Sequence, residues 1–294
     1  MARSWPMTSL PQARRFDWTN LGLRVVSALV LVPAVVGAIM VEANWPYLVL
    51  ISIAVALLAI EWGGMSAPRA PLRVSAAVTA AVLTALFLTH LQHPGWAWAS
   101  MVVGAAAAAL VARGVAERPA DAAFGVIYLA PAAICLAWLR LTHQGQWWTL
   151  MLFLVTWAAD IGAFAVGSVL KGPKLWPRFS PNKTWSGFFG GLLCASLTGV
   201  LLAAPSAFQI ALPRIAMPAF QLNLWAAAVI GLAVGVATMA GDLWESALKR
   251  RFGVKDSGDL IPGHGGLLDR VDGLMFAVVA MALARLANQW EWGH

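Results

Sequence analysis

The chain has 294 residues, 60% of them hydrophobic and only 11% charged, with a mean hydropathy of +0.74; a soluble domain carries roughly 25% charged residues, so a polytopic membrane protein is predicted and a soluble globular one excluded. A net charge of +7 would point a soluble protein toward nucleic acid, but basic loops beside anionic headgroups account for it here, and no nucleic-acid partner is expected. Cys135 and Cys194 lie inside apolar runs and imply neither a disulfide nor a metal framework.

In chain order, a polar segment over residues 1–24 carries Arg14, Arg15 and Arg24 before an apolar run. That pattern resembles a secretory signal, but the long leader and the spans that follow favour a retained first helix. Apolar windows then run Val25 to Val41, Pro46 to Ile60, Val74 to Leu88, Trp96 to Val111, Ala122 to Leu139, Trp147 to Val169, Phe188 to Ala204, Leu222 to Ala240 and Gly273 to Leu286. Backbone groups in lipid must be satisfied internally, and the alternating polarity of a barrel is absent. The fold class is therefore an all-α polytopic membrane protein with about nine transmembrane helices and a polar catalytic cavity facing the cytoplasm.

Placing the N-terminus inside puts Arg3, Arg14, Arg15, Arg24, Arg69, Arg73, Arg113, Arg118, Lys171, Lys174, Arg178, Lys183, Lys249, Arg250, Arg251, Lys255 and Arg270 on the inner side, against Arg140, Arg214 and Arg285 outside. The organisation expected is a cytoplasmic segment 1–24, N-terminal membrane helices over 25–145, and a catalytic membrane region 146–294 containing cytoplasmic loops 171–186 and 242–272. The tryptophans cluster near span ends, as interfacial anchors do. Glu42, Glu61, His90 and His143 also fall near span ends and read as interfacial polar groups rather than ligands, and Pro205 to Pro218 reads as an outer loop.

Two polar regions carry the chemistry. Asp160, inside the sixth span, is costly if it faces lipid; it reads either as an inward hydrogen-bond acceptor or as the lining of a substrate or metal cavity. The connector after it, KGPKLWPRFSPNKTWSG, sets Ser180, Asn182, Lys183, Thr184 and Ser186 before a helix. Thr184 or Ser186 suits a cap, and free N–H groups beside Lys183 suit an anion. No GxxxxGK[ST] pattern occurs, so no P-loop mechanism applies.

In the second region Asp242, Glu245, Ser246 and Lys249 recur at helical offsets and share one side if the helix continues. Gly263, Gly265 and Gly266 then lead to Asp269 and Asp272, three residues apart before the last helix. Hard carboxylate oxygens suit Mg²⁺, which bridges protein and phosphate; His264 alone supports no zinc site. Acids and bases massed at one membrane face favour phosphate chemistry over a proton relay spread through several spans.

These residues closely resemble the phosphatidate cytidylyltransferase (CDP-diacylglycerol synthase) family. The resemblance rests on Ser246-Ala-Leu-Lys249-Arg250, Lys255-Asp256, Pro262-Gly-His264-Gly265-Gly266 and Leu268-Asp269-Arg270-Val271-Asp272, with Ser180-Pro-Asn-Lys183-Thr184-Trp185 and Asp160-Ile-Gly upstream. It implies a bacterial inner-membrane enzyme converting CTP and phosphatidate to CDP-diacylglycerol and diphosphate, dependent on Mg²⁺ with room for a second cation, working among membrane phospholipids and compatible with a homodimer. It also implies that Asp242, Asp269 and Asp272 form the metal-dependent catalytic cluster, joined by Lys249. Substrate contacts fall to Ser180, Lys183, Thr184, Ser246, Arg250, Lys255, His264, Gly265, Gly266 and Arg270. Relatives commonly place glutamate after the tryptophan of the upstream motif, where this chain has Ser186, so metal ligation at that position is not expected. A lipid kinase is the nearest enzymatic rival, and an anion or lipid transporter the non-enzymatic one.

Overall fold

The structure is a computed structural model that describes residues 18–115, 118–204, 222–258, 260 and 265–292. Its helices are α1 (Trp18–Met40), α2 (Trp45–Ser66), α3 (Pro71–His90), α4 (Pro94–Val111), α5 (Pro119–Leu141), α6 (Gly145–Leu170), α7 (Trp185–Ala203), α8 (Leu224–Arg251) and α9 (Leu268–Trp292). All but α1 are long and apolar enough to span a bilayer, and the apolar stretch of α1 runs Val26–Met40. The helical multi-pass reading therefore holds.

Local chemistry sets the helix starts. Prolines occupy the first turn of α2, α3, α4 and α5, where a missing N–H costs nothing. Side chains cap two others: Thr184 Oγ1 accepts from Gly187 N at 3.2 Å, and Asn223 Oδ1 from Ala226 N at 2.6 Å.

Small residues let the site-bearing helices close on one another. A Cβ at Gly187 would stand 2.8 Å from Ala163 O, and one at Gly191 2.8 Å from Ala159 O, so α7 lies backbone to backbone on α6. Gly241 on α8 meets Asp272 and Gly273 of α9 in the same way. One end of the bundle is tied by Arg140, which donates to Val41 O at 2.6 Å, and by Arg285, which donates to His143 O at 3.1 Å and lies 4.9 Å from the Trp148 ring centroid. The other end is tied by Arg251 to Asp121, and by Trp62 Nε1 to Asp121 O at 2.9 Å.

Two local features differ from the sequence reading. The eighth apolar window ends at Ala240, yet α8 continues unbroken to Arg251, so Asp242 to Arg251 are helical rather than loop. The connector after α6 contains an antiparallel hairpin, β1 (Lys174–Trp176) with β2 (Ser180–Thr184), pairing Lys174 with Thr184 and Trp176 with Ser180. Pro181 is tolerated because a two-stranded hairpin is all edge. The leader over 1–17, the outer loop and His264 lie outside the described residues.

Candidate active site

The hairpin, α6, α8 and α9 converge on two adjoining groups of charge. In the first, Lys183 at the end of β2 makes an ion pair with Asp242 on α8. Asp160 on α6 and Asp272 on α9 both stand within electrostatic reach of Asp242 and Lys183. Asp272 Oδ1 accepts from Gly273 N at 2.8 Å, and a Cβ at Gly273 would come within 2.8 Å of Asp242 Oδ1, so this helix start presses on that carboxylate. One lysine thus faces acids drawn from three different helices.

In the second group Lys249 Nζ lies 2.5 Å from Asp269 Oδ1 and 2.7 Å from Glu245 Oε2, one helical turn back. Asp269 Oδ2 accepts from Ser257 N at 3.1 Å, Ser257 Oγ at 3.0 Å and Gly266 N at 3.2 Å. Asp269 therefore joins α8 through Oδ1 and orders the segment between α8 and α9 through Oδ2. Glu245, 1% exposed, is held by its ion pair with Lys249.

Sequence reasoning missed Glu61. It is 4% exposed on α2, where its Oε1 accepts from Leu267 N and its Oε2 from Leu268 N, both at 2.7 Å, and Oε2 also from Ser257 Oγ at 3.2 Å. It thereby caps α9 from another helix. Gly266 is packed against the same spot: a side chain there would strike Ser257 Oγ. Its place in GGLLD gave no signal of what it would touch, and Glu61 itself looked like any acid near a span end.

The trio Asp242, Asp269 and Asp272 is thus divided between the two groups. Among the described residues no set of three or more acidic, histidine or cysteine side chains is gathered as a metal site. Of the other predicted positions, Thr184 is buried and spends its hydroxyl on the α7 cap, while Ser180 pairs within the hairpin. Ser246 is half-buried on α8, Lys255 is exposed, and Gly265 sits at φ +81°, a backbone region suited to glycine. Arg250 is exposed and lines a basic notch with Arg178, Phe179 and Arg251. Ser186 donates to Lys171 O and closes the hairpin base.

Cavities flank the first charge group on both sides. One of about 530 Å³ is lined by Asp160, Asn182, Lys183, Thr184, Gly187 and Asp242 among others, a size that accepts a small molecule. A second of about 290 Å³ is lined by Asp160, Arg270 and Asp272 together with residues of α1. Asp160 borders both cavities.

A family model described as "Cytidylyltransferase family" matches residues 22–287. The chain is 37% identical over 270 residues to a protein of Brucella suis biovar 1 named phosphatidate cytidylyltransferase, covering 90% of this chain and 93% of that protein. The protein of that name from Brucella melitensis biotype 1 matches to the same extent. One from Staphylococcus haemolyticus is 38% identical over 159 residues, 54% of this chain and 56% of its own.

Proposed function

This chain belongs to the cytidylyltransferase family, and from that premise we propose that it transfers the cytidylyl group of CTP to phosphatidate, giving CDP-diacylglycerol and diphosphate at the cytoplasmic face of the bacterial inner membrane. The observation that carries the reading is the Lys183–Asp242 pair at the wall of one cavity, with Asp160 shared between that cavity and a second one lined by Arg270 and Asp272. The 530 Å³ cavity, with Lys183, Asn182 and the start of α7, has the donors a nucleoside polyphosphate needs. The cavity beside Arg270 meets the apolar bundle and suits a lipid phosphate.

A phosphate oxygen of phosphatidate attacks the α-phosphorus of CTP. The new O–P bond forms as the bond to the bridging oxygen breaks, and diphosphate carries the electron pair away. Lys183 neutralises phosphate charge on the nucleotide side, and Arg270 holds the nucleophile's phosphate. No protein nucleophile is needed, since the phosphomonoester is already anionic near neutral pH. Ser246 and Lys255 extend the polar surface, and Arg250 with Arg178 offers a cationic exit for diphosphate.

The donor set fits a divalent ion shared with substrate. Asp242 and Asp272 supply hard oxygens from adjacent helices, and Mg²⁺ is commonly held by one or two carboxylates with phosphates completing its shell. Bound there, Mg²⁺ would stabilise charge on the attacked phosphorus and the leaving diphosphate. Asp269, with Lys249 and Ser257, instead orders the segment before α9.

The test is diphosphate release and CDP-diacylglycerol formation by the purified protein given CTP, phosphatidate and Mg²⁺, each omitted in turn. Equal amounts of both products, dependent on all three, are expected. Label transferred from the γ-phosphate would instead identify a lipid kinase, and lipid movement without diphosphate a transporter.

A further inference from the structure

The cavity beside Arg270 does not end at α1. It shares Leu31, Val35, Phe153, Leu267, Val271 and Leu274 with a neighbouring cavity of about 270 Å³ between α1, α2, α5 and α9, whose other lining residues are apolar apart from Tyr47. Along α2 this groove runs from Tyr47 to Leu58, about 16 Å at 1.5 Å per helical residue. Half of a hydrocarbon core is roughly 15 Å. A slot with charge at one end and one leaflet's depth of apolar wall behind it has the shape of a single lipid. It also opens sideways: α1 packs mainly on α2 and α6, and Leu31 is 46% exposed while lining the slot.

We propose that this groove holds one acyl chain of the phosphatidate substrate while Arg270 receives its phosphate, so that α2 and α5 set the accepted chain length. The proposal rests on the reaction assigned above. Chain burial supplies binding energy away from the reacting phosphate, and hydrocarbon removed from the bilayer is replaced by side-chain contact along the whole slot. Ala54, Ala132 and Ala133 leave the width that the chain occupies.

Two measurements test it. Wild-type protein in lipid nanodiscs is photolysed with phosphatidate bearing a diazirine near the end of one acyl chain, and labelled peptides are mapped. Label on α2 or α5, removed by unlabelled phosphatidate and retained with phosphatidylethanolamine, is expected; label on other helices, or equal competition by both lipids, overturns the proposal. Then Ala54→Phe should lower the ratio of kcat/KM for dioleoyl over dihexanoyl phosphatidate by about tenfold, the order a pocket constriction yields. Val49→Phe, on the same helix but 49% exposed and outside the groove, should leave that ratio unchanged. A parallel fall with both substrates, or no fall, refutes the groove. Absence of CTP-dependent diphosphate release from dihexanoyl phosphatidate by wild-type protein would sink the reaction itself.

Discussion

Glu61 on α2 accepts the backbone N–H of Leu268, the first residue of α9, at 2.7 Å across 207 positions of sequence. One carboxylate therefore fixes where the last helix begins, and with it the height of Asp269 and Asp272. The same carboxylate takes Leu267 N and Ser257 Oγ, so the segment between α8 and α9 hangs from α2.

Glu61→Ala should therefore destabilise the protein and reduce turnover together. Losing an N-cap costs about 0.5–2 kcal/mol, and each buried donor left unpaired about 1–3 kcal/mol. A lowered Tm of the detergent-solubilised protein and a fall in kcat with little change in the KM for CTP are expected. Glu61→Gln keeps one acceptor oxygen and should recover part of both. Unchanged Tm and kcat in Glu61→Ala would remove Glu61 from the account.

Lys183 is the cation of the first charge group, and in the proposed reaction it faces the nucleotide. Its side chain is 28% exposed and that of Asp242 18%, so the pair is only partly desolvated. Lys183→Met should lower kcat/KM for CTP by about a hundredfold, which corresponds to about 2.7 kcal/mol of transition-state stabilisation. Lys183→Arg should recover only part of that, because the guanidinium does not reproduce a compact ammonium. A Lys183→Met enzyme within about threefold of wild type would place the nucleotide elsewhere.

How much of this was legible in the sequence depends on the range of the interaction concerned. Hydropathy located the spans because apolar burial is a local property of each window, and the charge bias sorted their ends. The joint start of α7 at Thr184 was also local and was readable. The continuation of α8 was legible only as a condition, since the helical offsets of Asp242, Glu245 and Lys249 could not by themselves decide between a loop helix and one unbroken helix, and the pairing with Asp269 joins them to the bundle. The hairpin escaped notice because KLWPRFSPNKT has two prolines and no alternating pattern. Glu61 acquires its role only through partners far along the chain, and spacing alone could not divide Asp269 from Asp242 and Asp272.

That division makes a sharp statement about metal. Chelation with EDTA should abolish turnover and excess Mg²⁺ restore it. Asp242→Asn and Asp272→Asn should raise the Mg²⁺ concentration for half-maximal rate by about tenfold or more, as loss of a charged oxygen ligand does. Asp269→Asn should lower activity without moving that concentration, because its oxygens face Lys249, Ser257 and Gly266. A shift in Mg²⁺ requirement with Asp269→Asn equal to that with Asp242→Asn would return Asp269 to the metal.

Not every ion pair at this face should matter. Arg251 meets Asp121 with the arginine side chain 45% exposed and the aspartate side chain 10% exposed, and a pair whose cation is this open to water contributes less than one buried on both sides. Asp121 has a second, independent tie, since its backbone oxygen accepts Trp62 Nε1 at 2.9 Å, and that bond survives any change of side chain. Arg251→Gln should consequently shift Tm little and leave kcat/KM within about twofold of wild type. The contrast with Lys249→Met, whose loss leaves Glu245 buried beside Asp269 with no cation between them, is the informative one. Breaking a buried pair costs about 3–5 kcal/mol, so Lys249→Met should be poorly folded or inactive, measured by thermal melting and diphosphate release side by side. Equal tolerance of the two substitutions would mean that the second charge group does not hold this end of the bundle together.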